Sequence, residues 1–138
     1  MSKLKVLIPL DGSEKSMHSL DWLKKFYSSE AVEVTLLNVM EIYYTPEMPP
    51  IEDFSHETAR KRSSETLNQA EKQLEGYTVN KLSVLGSSAN VILGQAKEST
   101  FDLIIMTKSS VKGLTRLIGS VTSKVVRDSE VAVAVVPQ

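Results

Sequence analysis

Apolar positions in this chain switch between two spacings. Val6-Leu7-Ile8, flanked by Leu4 and Leu10, is nearly continuous in apolar residues, as a parallel strand covered on both faces tends to be. Met17, Leu20, Leu23 or Lys24, and Tyr27 then recur three or four apart, with Trp22 and Phe26 beside them. Ser13 stands ahead of that stripe as an N-cap and Glu14 falls in the first turn, so the spacing predicts a first helix. Val32, Val34, Leu36, Leu37 and Val39 predict a second strand, and the three prolines Pro46, Pro49 and Pro50 a loop after it. Between Ser55 and Leu74, the residues Ala59, Leu67, Ala70 and Leu74 mark a long, largely exposed helix that stops near Gly76.

Residues 79–85 predict a third strand, and Gly86-Ser87-Ser88 a turn with Ser87 or Ser88 capping a short helix that carries Ala89, Ile92, Leu93 and Ala96. Residues 101–106 read as a fourth strand, and 107–118 as a polar, serine-rich loop. A helix over 119–127 carries Val121, Val125 and Val126, and the run from Val131 to Val136 is the last strand. The segments expected to form the sheet are 6–10, 34–39, 82–85, 103–106 and 131–136.

Strand and helix thus alternate β-α-β-α-β-α-β-α-β, which predicts an α/β fold: a single doubly wound five-stranded parallel sheet with helices on both faces. With 138 residues, the chain is expected to form one domain spanning 1–138. In such sheets ligands bind beyond the carboxyl ends of the strands, so the segments after strands one, two and four are where chemistry should sit.

Composition narrows the chemistry. There is no cysteine, which removes disulfides, thiolate metal sites and thiol nucleophiles. The longest apolar run, Val131-Ala132-Val133-Ala134-Val135-Val136, is far short of the roughly twenty residues that span a bilayer. Pro9 and Asp11 interrupt the first apolar run before an export signal could form, so a cytoplasmic location without a membrane partner is expected. A formal charge of −1 offers no bulk attraction to nucleic acid. The charges are nevertheless segregated. Glu41, Glu47, Glu52, Asp53 and Glu57 form an acid-only stretch, whereas Lys108, Lys112, Arg116, Lys124 and Arg127 form a base-only one, which either favours anions or is a solvated face.

His18 and His56 are lone histidines, expected at the surface, with no second ligand at metal spacing. The GxxxxGK[ST], G-x-S-x-G and GxGxxG motifs are all absent. Asp11 ends strand one as in a phosphorylation receiver, but strand three ends Val84-Leu85-Gly86 and offers no acceptor aspartate. Two strand ends remain. One is Ile8-Pro9-Leu10-Asp11-Gly12-Ser13. The other runs from Met106 and Thr107 through the basic loop to Gly119-Ser120-Val121-Thr122. Gly119-Ser120 opens a helix whose free N–H groups suit a phosphate, although the same pair also reads as an ordinary helix cap.

Over essentially its whole length the sequence resembles the universal stress proteins. The resemblance is carried by Val6-Leu7-Ile8-Pro9-Leu10-Asp11-Gly12-Ser13, by Gly86-Ser87-Ser88-Ala89-Asn90-Val91-Ile92 with Phe101-Asp102-Leu103-Ile104-Ile105-Met106, and by Gly113-Leu114-Thr115-Arg116 to Gly119-Ser120-Val121-Thr122 with the last strand and Pro137. It implies the strand order 3-2-1-4-5, a homodimer paired through the strand from Val131 to Val136 and, in one branch of the family, binding of ATP assisted by Mg²⁺. Position by position it places Pro9 and Asp11 near the adenine, Val39 in its pocket, Met106 and Thr107 on the ribose side, and Gly119, Ser120, Val121 and Thr122 at the phosphates.

ATP-binding members carry a G-x2-G-x9-G-[ST] loop. Gly119-Ser120 matches its end, but the earlier glycines fall on Met106 and Ser109, or on Thr107 and Ser110 if the loop is one residue shorter. The resemblance therefore implies a non-catalytic stress-response protein that binds an adenine nucleotide more weakly than relatives with all three glycines. A dimeric adaptor without nucleotide binding is the alternative. An ATP hydrolase has least support, because no general base accompanies the loop.

Overall fold

Five parallel strands form the sheet: β1 Leu4–Pro9, β2 Val32–Met40, β3 Thr78–Leu85, β4 Leu103–Thr107 and β5 Ala132–Val136, ordered β3-β2-β1-β4-β5. The computed structural model describes residues 2–41, 52–108 and 118–137. Pro46, Pro49, Pro50, Glu47, Ser109, Ser110, Lys112, Gly113, Leu114, Thr115 and Arg116, all singled out in the sequence, lie outside the described residues. The helices are α1 His18–Phe26, α2 Glu52–Gln73, α3 Ser88–Glu98 and α4 Ser120–Asp128.

The three inner strands carry the continuous apolar runs because each is covered twice. In β1, Val6 and Ile8 pack beneath α1 and α2 with Leu20, Leu23, Leu67, Ala70 and Leu74, while Leu7 points the other way. It joins Leu37, Ile104 and Met106 under Ala89, Ile92 and Ala96 of α3 and Val125 of α4. Each fully buried leucine or isoleucine here contributes roughly 1.5–3 kcal/mol relative to exposure.

The boundaries differ from expectation for local reasons. β3 begins at Thr78, one residue before the stretch 79–85 read as a strand and four before the segment 82–85 expected in the sheet, and pairs with β2 from Glu33↔Thr78 to Met40↔Leu85. It is an edge strand whose Asn80 and Lys81 are exposed, so its first half carries little apolar signal. β5 begins at Ala132 and not Val131, whose N–H donates to the Ser129 hydroxyl at 3.0 Å. Leu10 lies just past β1, although its N–H still donates to the Leu37 carbonyl at 2.7 Å.

Ser13 is not an N-cap: Glu14 holds that position ahead of a single 3-10 turn, Lys15–Met17, while the Ser13 hydroxyl accepts the Ser16 N–H at 3.1 Å from one residue further out, and α1 starts only at His18. Tyr27, expected in the helical stripe, is already extended, and its carbonyl accepts the Tyr77 hydroxyl at 2.6 Å. In α4 the three valines do not share a face: Thr122 and Val125 are buried, whereas Val121 and Val126 are exposed. Both histidines are partly exposed, and His18 Nδ1 is enclosed without a hydrogen-bond partner. Among the described residues there is no cluster of metal-ligating side chains and no helix long and apolar enough to cross a membrane.

Candidate functional site

The strand order reverses at β1, between β2 and β4, and a cavity of about 240 Å³ opens at the carboxyl ends of these strands. Pro9, Asp11, Val39, Met106, Thr107, Val121 and Thr122 all line it, as do Leu10, Ser16, Leu37, Glu41, Ser88 and Ile92, which the sequence reading missed. Gly119 and Ser120 do not line it directly; they form the N-cap and first residue of α4 at its edge. Its floor is apolar through Leu37, Val39, Ile92 and Met106, and its rim is polar.

Three local devices shape that rim. Asp11 Oδ1 accepts the Ser13 N–H at 2.9 Å, an Asx turn that carries the chain out of β1. Gly12 follows at φ +89°, and a Cβ there would stand 3.3 Å from the Thr66 hydroxyl of α2. Asn38, buried in β2, donates from Nδ2 to the Leu10 carbonyl at 2.8 Å and ties the two strand ends together.

On the opposite side, α3 and α4 both direct their first turns at the cavity through Ser88, Val121 and Thr122. Neither has a side-chain cap from its own N-cap residue. At α3 the Ser88 N–H donates instead to Glu41 Oε1 at 2.7 Å, a carboxylate delivered by the end of β2. At α4 the N-cap is Gly119, whose N–H donates to the Lys108 carbonyl at 2.9 Å. The first N–H groups of that helix have no intrahelical acceptor by geometry, so they and the helix dipole make an anion-favouring end.

The Thr122 hydroxyl is committed to the Thr107 carbonyl at 3.0 Å, so Thr122 fastens α4 to β4 and is not available as a side-chain donor to a ligand. Of the basic stretch, Lys124 reaches Asn90 on α3 at 2.8 Å and Arg127 pairs with Asp128 at 3.1 Å, both on the exposed side of the layer. The Arg127 guanidinium holds the Asp128 carboxyl below its ordinary range.

A second, more polar recess of about 590 Å³ shares Asp11, Val39, Glu41 and Ser88 with the first and extends beneath Arg62, Glu65, Thr66 and Gln69 of α2. Glu41 thus stands where the two meet. The sequence held one signal for it, a carboxylate directly after a strand end.

Known proteins share this layout. A universal stress protein of Methanocaldococcus jannaschii, MJ0577, is 31% identical over 153 aligned residues, covering 96% of this chain and 93% of its own length. The solved structure of MJ0577 superposes with a TM-score of 0.78 at 30% identity, covering 100% of this chain and 98% of the other. A universal stress protein family member from Arabidopsis thaliana, solved with AMP bound, gives 0.70 at 20% identity over 96% and 90% of the two chains. The universal stress protein from Archaeoglobus fulgidus in complex with dAMP gives 0.66 at 14% over 98% of each. The sequence profile of the universal stress protein family matches residues 4–137, the whole sheet and all four helices, and this chain belongs to that family.

Proposed function

We propose that this protein is a cytoplasmic, non-catalytic stress-response protein that binds an adenine nucleotide, with ATP and Mg²⁺ as the ligand pair, at the carboxyl ends of β1, β2 and β4. The observation that carries the reading is the cavity itself: an apolar slot between Val39 and Met106 suited to a purine, ending at the α4 N-terminus suited to phosphate. The AMP and dAMP complexes of proteins with this fold support it. Mg²⁺ fits as a companion of the phosphates, since the described residues form no metal cage of their own and Mg²⁺ commonly binds through substrate phosphates. Bound there, it would neutralise phosphate charge.

Asp11 and Glu41 are the only ionisable side chains among the described cavity residues, and neither stands on β4 or α4, where the phosphates would lie. Calorimetric titration with Mg·ATP is expected to give saturable binding, weakened about tenfold in Asp11→Ala by loss of one charge-assisted hydrogen bond. ATP consumption above the buffer rate would overturn the non-catalytic half. Absence of heat at millimolar nucleotide would favour the adaptor reading, which the missing loop glycines support.

The protein is further proposed to be a homodimer through β5. The Val136 carbonyl accepts the Lys108 N–H at 3.0 Å, so Val136, Ala134 and Ala132 turn their backbone groups towards β4. By the two-residue alternation, Val133 and Val135 present theirs at the free edge. That edge is short, apolar and uncharged, and a second copy would cover it. Val135→Pro removes an outward N–H without touching the β4 ladder. Sedimentation is expected to show a dimeric wild type and a monomeric variant, and a monomeric wild type would sink the proposal.

A further inference from the structure

Exposed apolar side chains flank the free edge of β5 from both faces of the sheet. α1 crosses over β4 and reaches β5. With Leu20 and Leu23 turned to the sheet, its right-handed winding puts Trp22 and Phe26 on the flank facing β5 and Lys24 on the opposite flank. The Trp22 and Phe26 ring centres stand 4.7 Å apart, and Phe26 is 57% exposed. On the other face α4 also touches β5. Lys124 marks the inner flank of α4 by reaching Asn90 of α3 at 2.8 Å. Val126, two residues on and roughly 200° around the helix, is 46% exposed on the outer flank. Beneath the helices, Ala134 and Val136 of β5 pack with the α1 face and Val133 with the α4 face.

Resting on the homodimer reading above, we propose that the outer flanks of α1 and α4 are interface surfaces whose occupant is a second copy of this chain, with Trp22, Phe26 and Val126 as the anchors. Area carries the argument. The edge of β5 is five residues long. At the usual strand rise that is about 17 Å, and for a layer about 10 Å deep it offers on the order of 170 Å². Stable interfaces bury roughly 800 Å² per partner, so the strand edge alone falls far short and the helix flanks beside it must contribute. A two-fold axis perpendicular to the sheet at β5 keeps each face on its own side and sets α1 antiparallel to its copy. Each α1 lies over β4, so the two helices stand three strand spacings apart, about 14 Å. Direct helix contact needs roughly 8–10 Å, and the remaining span is one that aromatic side chains from both copies fill. Lys25, with Nζ 5.7 Å from the Phe26 ring centre, lies at the rim, where its ammonium stays in water.

The test is sedimentation equilibrium of the wild type, Phe26→Ser, Val126→Ser and Val135→Pro, with a thermal melt of each. Trp22 is the single tryptophan, so its emission across a dilution series reads the α1 flank without any substitution. Both serines replace exposed side chains, and the variants are expected to stay folded. Each is expected to raise the dimer dissociation constant about tenfold or more, since the lost apolar contact is counted once per copy. Wild-type emission is expected to move to longer wavelength on dilution, and that of Val135→Pro to start there and not move. A dimeric wild type with unchanged dissociation constants in both serine variants, and Trp22 emission indifferent to dilution, overturns the role of the flanks and leaves pairing through β5 standing. Weaker dimers in the serine variants with Val135→Pro still dimeric uphold the flanks and overturn the strand pairing. A wild type monomeric throughout the series overturns both.

Discussion

Val121→Glu is expected to abolish nucleotide binding while leaving the protein as stable as the wild type, or slightly more so. Val121 is the second residue of α4, lines the cavity and is 36% exposed, so a longer side chain fits without repacking. A glutamate in the first turn interacts favourably with the helix pole, by about 0.3–1 kcal/mol. It also brings to α4 what Glu41 already brings to α3, a carboxylate over the open N–H groups. Incoming phosphate would meet both an occupied site and a like charge. We expect a loss of at least about 100-fold, equivalent to ~2.7 kcal/mol. Titration with Mg·ATP beside a thermal melt checks both halves, with Val121→Gln as the neutral control. Affinity within threefold of wild type in Val121→Glu would mean that phosphate does not bind at α4.

The contrast between α3 and α4 also shows what the sequence could and could not disclose. The inner strands were legible because burial on both faces forces continuous runs such as Val6-Leu7-Ile8 and Leu36-Leu37. Their order 3-2-1-4-5 was not contained in those runs and came with the family resemblance; the observed pairing has the same order. The solvent-facing Asn80 and Lys81 weaken the apolar signal in the first half of β3, so only 82–85 counted among the sheet segments although 79–85 reads as a strand. α4 was legible as a helix, whereas burial at Thr122 depends on a hydrogen bond to the Thr107 carbonyl that no spacing reveals.

The strand-end residues of the candidate site were accessible to reasoning because a parallel sheet directs ligands to its carboxyl edge. Glu41 was not. It stands in an acid-only stretch, and its partner Ser88 lies 47 residues further along the chain, adjacent only once β2 and the β3–α3 turn stand side by side. Long-range caps of this kind leave no periodic trace, and the sequence shows only a carboxylate directly after a strand end.

Restoring glycine at two loop positions, Thr107→Gly with Ser110→Gly, is expected to raise ATP affinity and lower stability together. Thr107 closes β4 opposite Val136, is buried and puts a branched side chain into the cavity wall. Glycine there removes that bulk and lets phosphate approach the backbone, yet it keeps the carbonyl to which the Thr122 hydroxyl donates, so α4 stays fastened. Relief of a 1–3 kcal/mol penalty in strained or withdrawn backbone contacts corresponds to roughly five- to 150-fold tighter binding. Against this, a glycine at a strand position costs about 0.5–1 kcal/mol of folding free energy, before the lost contacts of the threonine are counted. Titration with Mg·ATP and urea unfolding of the same preparation measure the two effects separately. Unchanged affinity in a folded variant would mean that hydroxyl-bearing residues admit phosphate as well as glycine does. The limit on affinity would then lie at the base end, with Asp11 and Glu41.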